Sequence, residues 1–257
     1  MGYPFTSALV TGASSGIGEV MADLLGRAGV PTVVVARRGD RLAEIADRHD
    51  GFEVLAADLT TPEGQQVVAE RIASVDRPID LVVNNAGFGT SGTFHELDVD
   101  RLDREVQLNI AALTRLSHAA LATMVPRGRG WLLNVSSIAG FQAAPQLAVY
   151  AATKAYVTSF TESLHDEVSG AGVKVSVLCP GLTRTEFQQV SSTDHYAETF
   201  PDFVWTTVDE VAAAGLDGVS TGRTVVVPGV LYKGLVALSG ITPRGLARRI
   251  SGLVQRG

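Results

Sequence analysis

The sequence predicts an α/β fold, a doubly wound parallel sheet of about seven strands with helices on both faces. Two observations carry that prediction. Short β-branched runs alternate along the chain with longer segments whose apolar residues recur at spacings of three and four. Nearly all of the β runs are apolar throughout instead of alternating, as strands do when helices cover both of their faces.

Element by element, "ALVTG" opens the sheet and feeds the amphipathic helix "GIGEVMADLLGRAG". The strands "TVVVA", "FEVLAAD" and "DLVVNNAG" follow, each preceded by helical spacing. A long helix is expected over 98–125, then the strand "GWLLNVSS", a second long helix over 148–170, and the strands "VKVSVLCPG" and "RTVVVPG". The βα rhythm runs unbroken to about Pro228, so residues 1–230 are expected to form one domain. Residues 231–257 are expected to form a basic, helical extension.

Bulk properties narrow the function classes. A net charge of −6 over 257 residues argues against a nucleic-acid partner. The start of the chain lacks the pattern of a signal peptide, and no run of apolar residues is long enough to span a bilayer, so a soluble, cytoplasmic protein is expected. The single Cys179 lies in an apolar run and reads as a small hydrophobe. Five scattered histidines show no ligand spacing, and no metal is expected.

In sheets of this kind ligands bind beyond the carboxyl ends of the strands. The first strand ends in "TGASSGIGE", whose Gly12, Ser14, Ser15, Gly16, Ile17 and Gly18 lead into a helix N-terminus. Glycines there let a diphosphate approach the backbone, and the unpaired N–H groups of the helix favour an anion. The second strand ends at Arg37 and Arg38, where an acidic residue would take the adenosine ribose of NAD and an arginine takes the 2′-phosphate of NADP. Two cations just before a helix N-terminus are disfavoured unless a phosphate offsets them, so NADP(H) is the expected cofactor. Asp58, with Leu59 after it, ends the third strand. It reads equally as a partner for the adenine amino group or as a helix cap.

Tyr150 and Lys154 stand four residues apart on the helix "AVYAATKAYVTSFTESLHDEV", on one face, with only small residues between them. At an effective dielectric near 20, an ammonium in contact stabilises a phenolate by roughly 4 kcal/mol before desolvation. That would bring a tyrosine from about 10 towards about 7 or 8, a usable general acid. Protonating a carbonyl oxygen needs a second donor, and Ser137 ends the neighbouring strand.

Together, T-G-x3-G-x-G at Thr11 to Gly18, N-N-A-G at Asn84 to Gly87, Ser137, Tyr150-x3-Lys154 and Pro180-Gly181 resemble the single-domain branch of the short-chain dehydrogenases/reductases, over residues 5 to about 230. The resemblance implies a Rossmann fold and a tetrad of Asn109, Ser137, Tyr150 and Lys154. Ser137 would polarise the carbonyl, Tyr150 would transfer the proton, and Lys154 would lower its pKa while holding the nicotinamide ribose. Asn109 would bind a water that links Lys154 to solvent. It further implies cofactor contacts at Asn85, Ala86 and Gly87, and at Pro180, Gly181, Leu182 and Thr185, and a homodimer or homotetramer built on the two long helices. Family spacing selects Ser137 over Ser136. Tyr156, two residues from Lys154, reads as a packing residue.

The segment from about 186 to 207 is too long for an ordinary connection and carries Phe187, Tyr196, Phe200, Phe203 and Trp205. It is expected to close as a lid over a mainly apolar carbonyl or alcohol, although its aromatics could equally pack the lid onto its own domain. Phe88, Phe94 and Phe141 are further candidates for the pocket, and His195 is the one histidine placed near substrate. No acidic residue follows Asp217, which leaves a tail of charge +6 against −12 for the rest. A helix starting at Thr242 and Pro243 is expected there, with Leu246, Ile250, Leu253 and Val254 on one face. Docking on acidic protein is preferred to contact with an anionic membrane surface. The expected activity is an NADP(H)-dependent interconversion of carbonyl and alcohol. The rival is a non-catalytic protein that senses NADP(H).

Overall fold

Strand β1 (Ala8–Thr11) shows why the strands read as unbroken apolar runs. Ala8 and Val10 face one way, into a core with Met21, Leu25 and Leu216, while Leu9 faces the other, towards Leu116 and Leu132. Both faces are covered, so most positions are apolar, and buried polar ones such as Thr11, Asn84 and Asn134 carry hydrogen-bond partners. The computed structural model describes residues 2–193 and 200–241, and it extends this arrangement into one sheet.

The remaining strands are β2 (Thr32–Ala36), β3 (Glu53–Ala56), β4 (Leu81–Asn84), β5 (Gly130–Val135), β6 (Val173–Leu178) and β7 (Val225–Val226). They lie in the order β3-β2-β1-β4-β5-β6-β7, with all pairs parallel. Helices α1 (Gly16–Arg27), α2 (Gly39–Ala46) and α8 (Val208–Thr221) cover one face. Helices α3 (Pro62–Ile72), α5 (Leu113–Arg127) and α6 (Ala148–Glu167) cover the other. This is the expected Rossmann architecture. At the edge, β3 departs from the apolar pattern: Val54 is exposed, and Glu53 pairs with Arg71 and Arg77.

The chain winds outward from β1 to β3 and then returns to place β4 beside β1. The crossing opens a crevice at the carboxyl ends of these two strands, where a ligand meets loops from both halves of the sheet.

One element differs from expectation in detail. The long helix expected over 98–125 is present but not uniformly α-helical. Helix α4 (Val99–Val106) passes through a π-helical turn, Gln107–Ala112, into α5. A π-turn changes the hydrogen-bond register without requiring a particular residue type, so no side chain announces it. The segment after β7 turns at once into helix α9 (Val230–Ile241), at the start of the stretch expected to be helical, and the helix expected from Thr242, with its cationic face, lies outside the described residues.

Candidate active site

The turn after β1 is shaped by two glycines for different reasons. Gly12 has φ of 66°, a left-handed conformation that favours glycine. Gly18 has no room for a side chain: a Cβ there would sit 2.4 Å from both the Gly12 carbonyl oxygen and Asn85 Nδ2. Asn85 secures the turn from β4 by donating to the carbonyls of Thr11 at 2.9 Å and Gly12 at 3.3 Å. Its side chain thus serves the loop, while its backbone borders the crevice. Ser15 precedes α1 in an extended conformation without capping the helix, so the first-turn N–H groups are left for another acceptor.

A cavity of about 1050 Å³ runs from this turn across the strand ends to α6. It is bordered by Gly12, Ser14, Ser15, Gly16 and Ile17 from the turn, by Arg37 and Arg38 after β2, and by Asp58 and Leu59 after β3. Asn85, Ala86 and Gly87 follow β4, and Pro180, Gly181, Leu182 and Thr185 follow β6. At its far end stand Ser137, Tyr150 and Lys154. Of the expected site residues only Gly18 and Asn109 stand behind the wall. Asp58 is not the cap of α3, a role taken by Thr61; it accepts instead from the N–H and hydroxyl of Thr60.

The two serines after β5 part as alternation requires. Ser136 is buried and hydrogen-bonded to the Lys154 carbonyl at 2.7 Å and the Thr158 hydroxyl at 2.8 Å. Ser137 turns to the cavity, where its hydroxyl partly opposes the rise that burial imposes on the Tyr150 phenol. Asn109 lies in the π-helical turn. Its amide donates to the Phe88 carbonyl at 2.8 Å and to the Thr153 hydroxyl at 3.1 Å, and its oxygen accepts from the Phe88 N–H. The turn therefore aims Asn109 at both the loop after β4 and the helix that bears Tyr150. Tyr156 is remote, bonded to Thr114 on the outer surface and stacked on Phe160.

The electrostatics correct one expectation. Lys154 does not hold the Tyr150 hydroxyl down in this state. Its ammonium lies 5.7 Å from the centre of the tyrosine ring and donates to the Val135 carbonyl at 2.9 Å. Burial dominates both groups, pushing Tyr150 up to about 12 and bringing Lys154 down to about 8. Both the lid and the loop after β4 contribute to the burial of Tyr150. Phe187, the first residue of α7 (Phe187–Val190), packs its ring 5.4 Å from that of Tyr150. Ser191 accepts from the Gly89 N–H at 2.9 Å, and Arg101 donates to the Val190 carbonyl. Cys179 is buried, and desolvation raises it to about 12, which suits an inert side chain.

The family model for the short chain dehydrogenases matches residues 6–195. The chain belongs to this family. Among solved structures, a short-chain dehydrogenase from Sphingobium yanoikuyae in complex with NADPH is 33% identical with a TM-score of 0.82, covering 92% of this chain and 96% of that one. The bulky-bulky ketone specific alcohol dehydrogenase from Comamonas testosteroni is 32% identical with a TM-score of 0.77, covering 93% and 95%. An uncharacterized oxidoreductase of Staphylococcus aureus is 35% identical over 180 residues, 69% of this chain and 78% of that one.

Several aromatic side chains border the cavity of this short-chain dehydrogenase. Phe88, Phe141, Phe187 and Phe200 border the cavity, whereas Phe94 and Phe203 are exposed and away from it. Trp205 lies beside the guanidinium of Arg184 instead of the cavity. His195 and Tyr196 lie outside the described residues. Sequence reading missed Tyr232 of α9, which is buried on Gly181 and whose hydroxyl accepts from the Leu182 N–H and donates to the Val204 carbonyl. It also missed Glu105, fully buried on α4, and Glu186, paired with Arg38 at 2.9 Å. A glutamate in a helical pattern reads as solvated, and a tyrosine beyond the last strand carries no motif, so neither sends a signal.

Proposed function

We propose that this oxidoreductase uses NADP(H) to interconvert an apolar ketone and its alcohol, with Tyr150 as the proton-transferring group. One observation carries the reading: a single cavity joins two arginines at one end to Ser137, Tyr150 and Lys154 at the other. The residues fit a dinucleotide. The uncapped start of α1 and the glycine turn would hold the diphosphate, Arg37 and Arg38 the 2′-phosphate, and Lys154 the nicotinamide ribose. The bound cofactor supplies or accepts the hydride. The Sphingobium relative was solved with NADPH, which supports the choice of cofactor.

Ser137 donates to the substrate oxygen and so stabilises the charge that develops on it. Tyr150 gives that oxygen its proton in reduction and removes it in oxidation. Lys154 favours the phenolate when its ammonium turns from the Val135 carbonyl towards the phenol oxygen. Asn109 fixes the loop after β4 against α6 and so holds the distance between the two halves of the site. A ketone with two bulky apolar substituents suits the aromatic walls, in line with the ketone specificity of the Comamonas relative. A homodimer or homotetramer through the outer faces of α5 and α6, in the cytoplasm, completes the reading.

Consumption of NADPH and NADH with a panel of bulky ketones, comparing wild type with Tyr150→Phe, tests it. Turnover with NADPH that drops about 10²- to 10⁴-fold in the variant is expected. Tight NADPH binding without turnover of any carbonyl by wild type would instead favour a cofactor sensor.

A further inference from the structure

Glu186 borders the cavity and stands directly before Phe187, the first residue of α7. Its carboxylate meets Arg38 at 2.9 Å, and Ser15 and Arg41 act on it in the same sense, holding its carboxyl below the usual range. Arg38 is held in place by Ser14, whose hydroxyl accepts at 3.1 and 3.2 Å and whose carbonyl accepts at 3.1 Å. The neighbouring Thr185 methyl lies 3.2 Å from where a Cβ on Gly16 would stand. The first turn of the lid therefore rests on the glycine turn, with an anion facing the donors of the nucleotide end.

Resting on the NADP(H) reading above, we propose that Glu186 is an internal competitor for the 2′-phosphate, so that a phosphate bound at Arg38 releases the lid and uncovers Tyr150. Carboxylate and phosphate monoester are alternative anions for one guanidinium. A phosphate there takes the partner of Glu186 and repels it, and the displaced residue is joined directly to the ring that covers Tyr150. A cofactor without the 2′-phosphate leaves the Arg38–Glu186 pair intact. Glu186 in this way makes lid release depend on the phosphate that distinguishes NADP from NAD.

Trp205 reports the movement, because Arg184, two residues before Glu186, lies 5.2 Å from its ring centre. The other tryptophan, Trp131, is buried in the sheet core and gives a constant background. The full chain is titrated with adenosine 2′,5′-bisphosphate and with adenosine 5′-monophosphate, following binding by calorimetry and Trp205 by fluorescence. In wild type the bisphosphate is expected to bind more tightly than the monophosphate and to shift the emission. In Glu186→Gln it should bind about two- to fivefold more tightly than in wild type, the scale of an exposed ion pair, with no further shift. Equal bisphosphate affinity in the two proteins, or an equal emission shift in both, overturns the competition while leaving the NADP(H) reading standing. If neither protein prefers the bisphosphate, the NADP(H) reading fails and the competition fails with it.

Discussion

Tyr150 is a weak acid in the closed state because its surroundings are dry, and the residues that dry them are identifiable. Phe187 covers the ring, Gly89 approaches it so closely that a Cβ there would lie 3.1 Å away, and the Lys154 ammonium is turned to a carbonyl. Replacing Phe187 with alanine admits water beside the hydroxyl and removes part of the desolvation that raises it. The Tyr150 phenol should then titrate below its closed-state value of about 12. Nuclear magnetic resonance of ¹³C-labelled tyrosine, assigned with Tyr150→Phe, checks this, and an unmoved titration would show that the lid is not the cause. A second residue-scale prediction concerns Gly18. With 2.4 Å between a new Cβ and the Gly12 carbonyl, Gly18→Ala must displace the glycine turn, and overpacking of that kind costs about 1–3 kcal/mol. Urea unfolding should show that loss, and dinucleotide affinity should fall with it.

At the scale of elements, what the sequence made legible and what it hid have distinct physical causes. Strands such as β1 and β5 were legible because both faces are buried, so nearly all of their positions are apolar, with Thr11 and Asn134 as hydrogen-bonded exceptions. The π-helical turn was hidden because it alters hydrogen-bond register without altering side-chain type. The position of Tyr150 and Lys154 on one helix face was legible from spacing, but the direction of their pKa values was not, since burial depends on segments distant in the chain, among them Gly89 and Phe187 against Tyr150. Helix α9 falls within the stretch expected to be helical, but its start at Val230 was not legible because no capping residue or Thr-Pro signal marks it, whereas the helix expected from Thr242 lies outside the described residues. The structure gives that earlier helix a role: Tyr232 ties Leu182, in the wall after β6, to Val204, near the end of the lid. Tyr232→Phe leaves the Leu182 N–H and the Val204 carbonyl without this partner, a loss of about 1–3 kcal/mol. The expected signature is a rise in KM for the ketone that exceeds any fall in kcat, together with a lower urea midpoint. Unchanged KM with the same loss of stability would confine Tyr232 to packing.

Across the whole molecule, groups buried near the site make stability depend on pH in a way that one substitution can isolate. Glu105 is fully buried on α4, with Thr90, Arg101 and Lys154 around it, and desolvation raises its carboxyl above the ordinary 4.5. Between those two values the folded chain holds a proton that the unfolded chain has lost, so stability falls as pH rises through the window. Lys154 works in the opposite sense and in another range. Lowered from 10.5 to about 8, it binds its proton less well in the folded chain, and stability rises with pH between these values. At neutral pH the Glu105 penalty is the one that a neutral isostere removes. Glu105→Gln should therefore raise the melting temperature at pH 7, and the gain should shrink towards zero as pH falls to about 4, where the wild-type carboxyl is protonated in both states. Asp80 and Glu186, whose carboxyls are lowered by their partners, weaken both proteins alike in acid and cancel from the comparison. Thermal melts of the two proteins from pH 4 to 7 decide it: a difference independent of pH would mean that Glu105 acts through packing, and a loss at pH 7 would mean that its charge is favourably paired with Arg101 and Lys154.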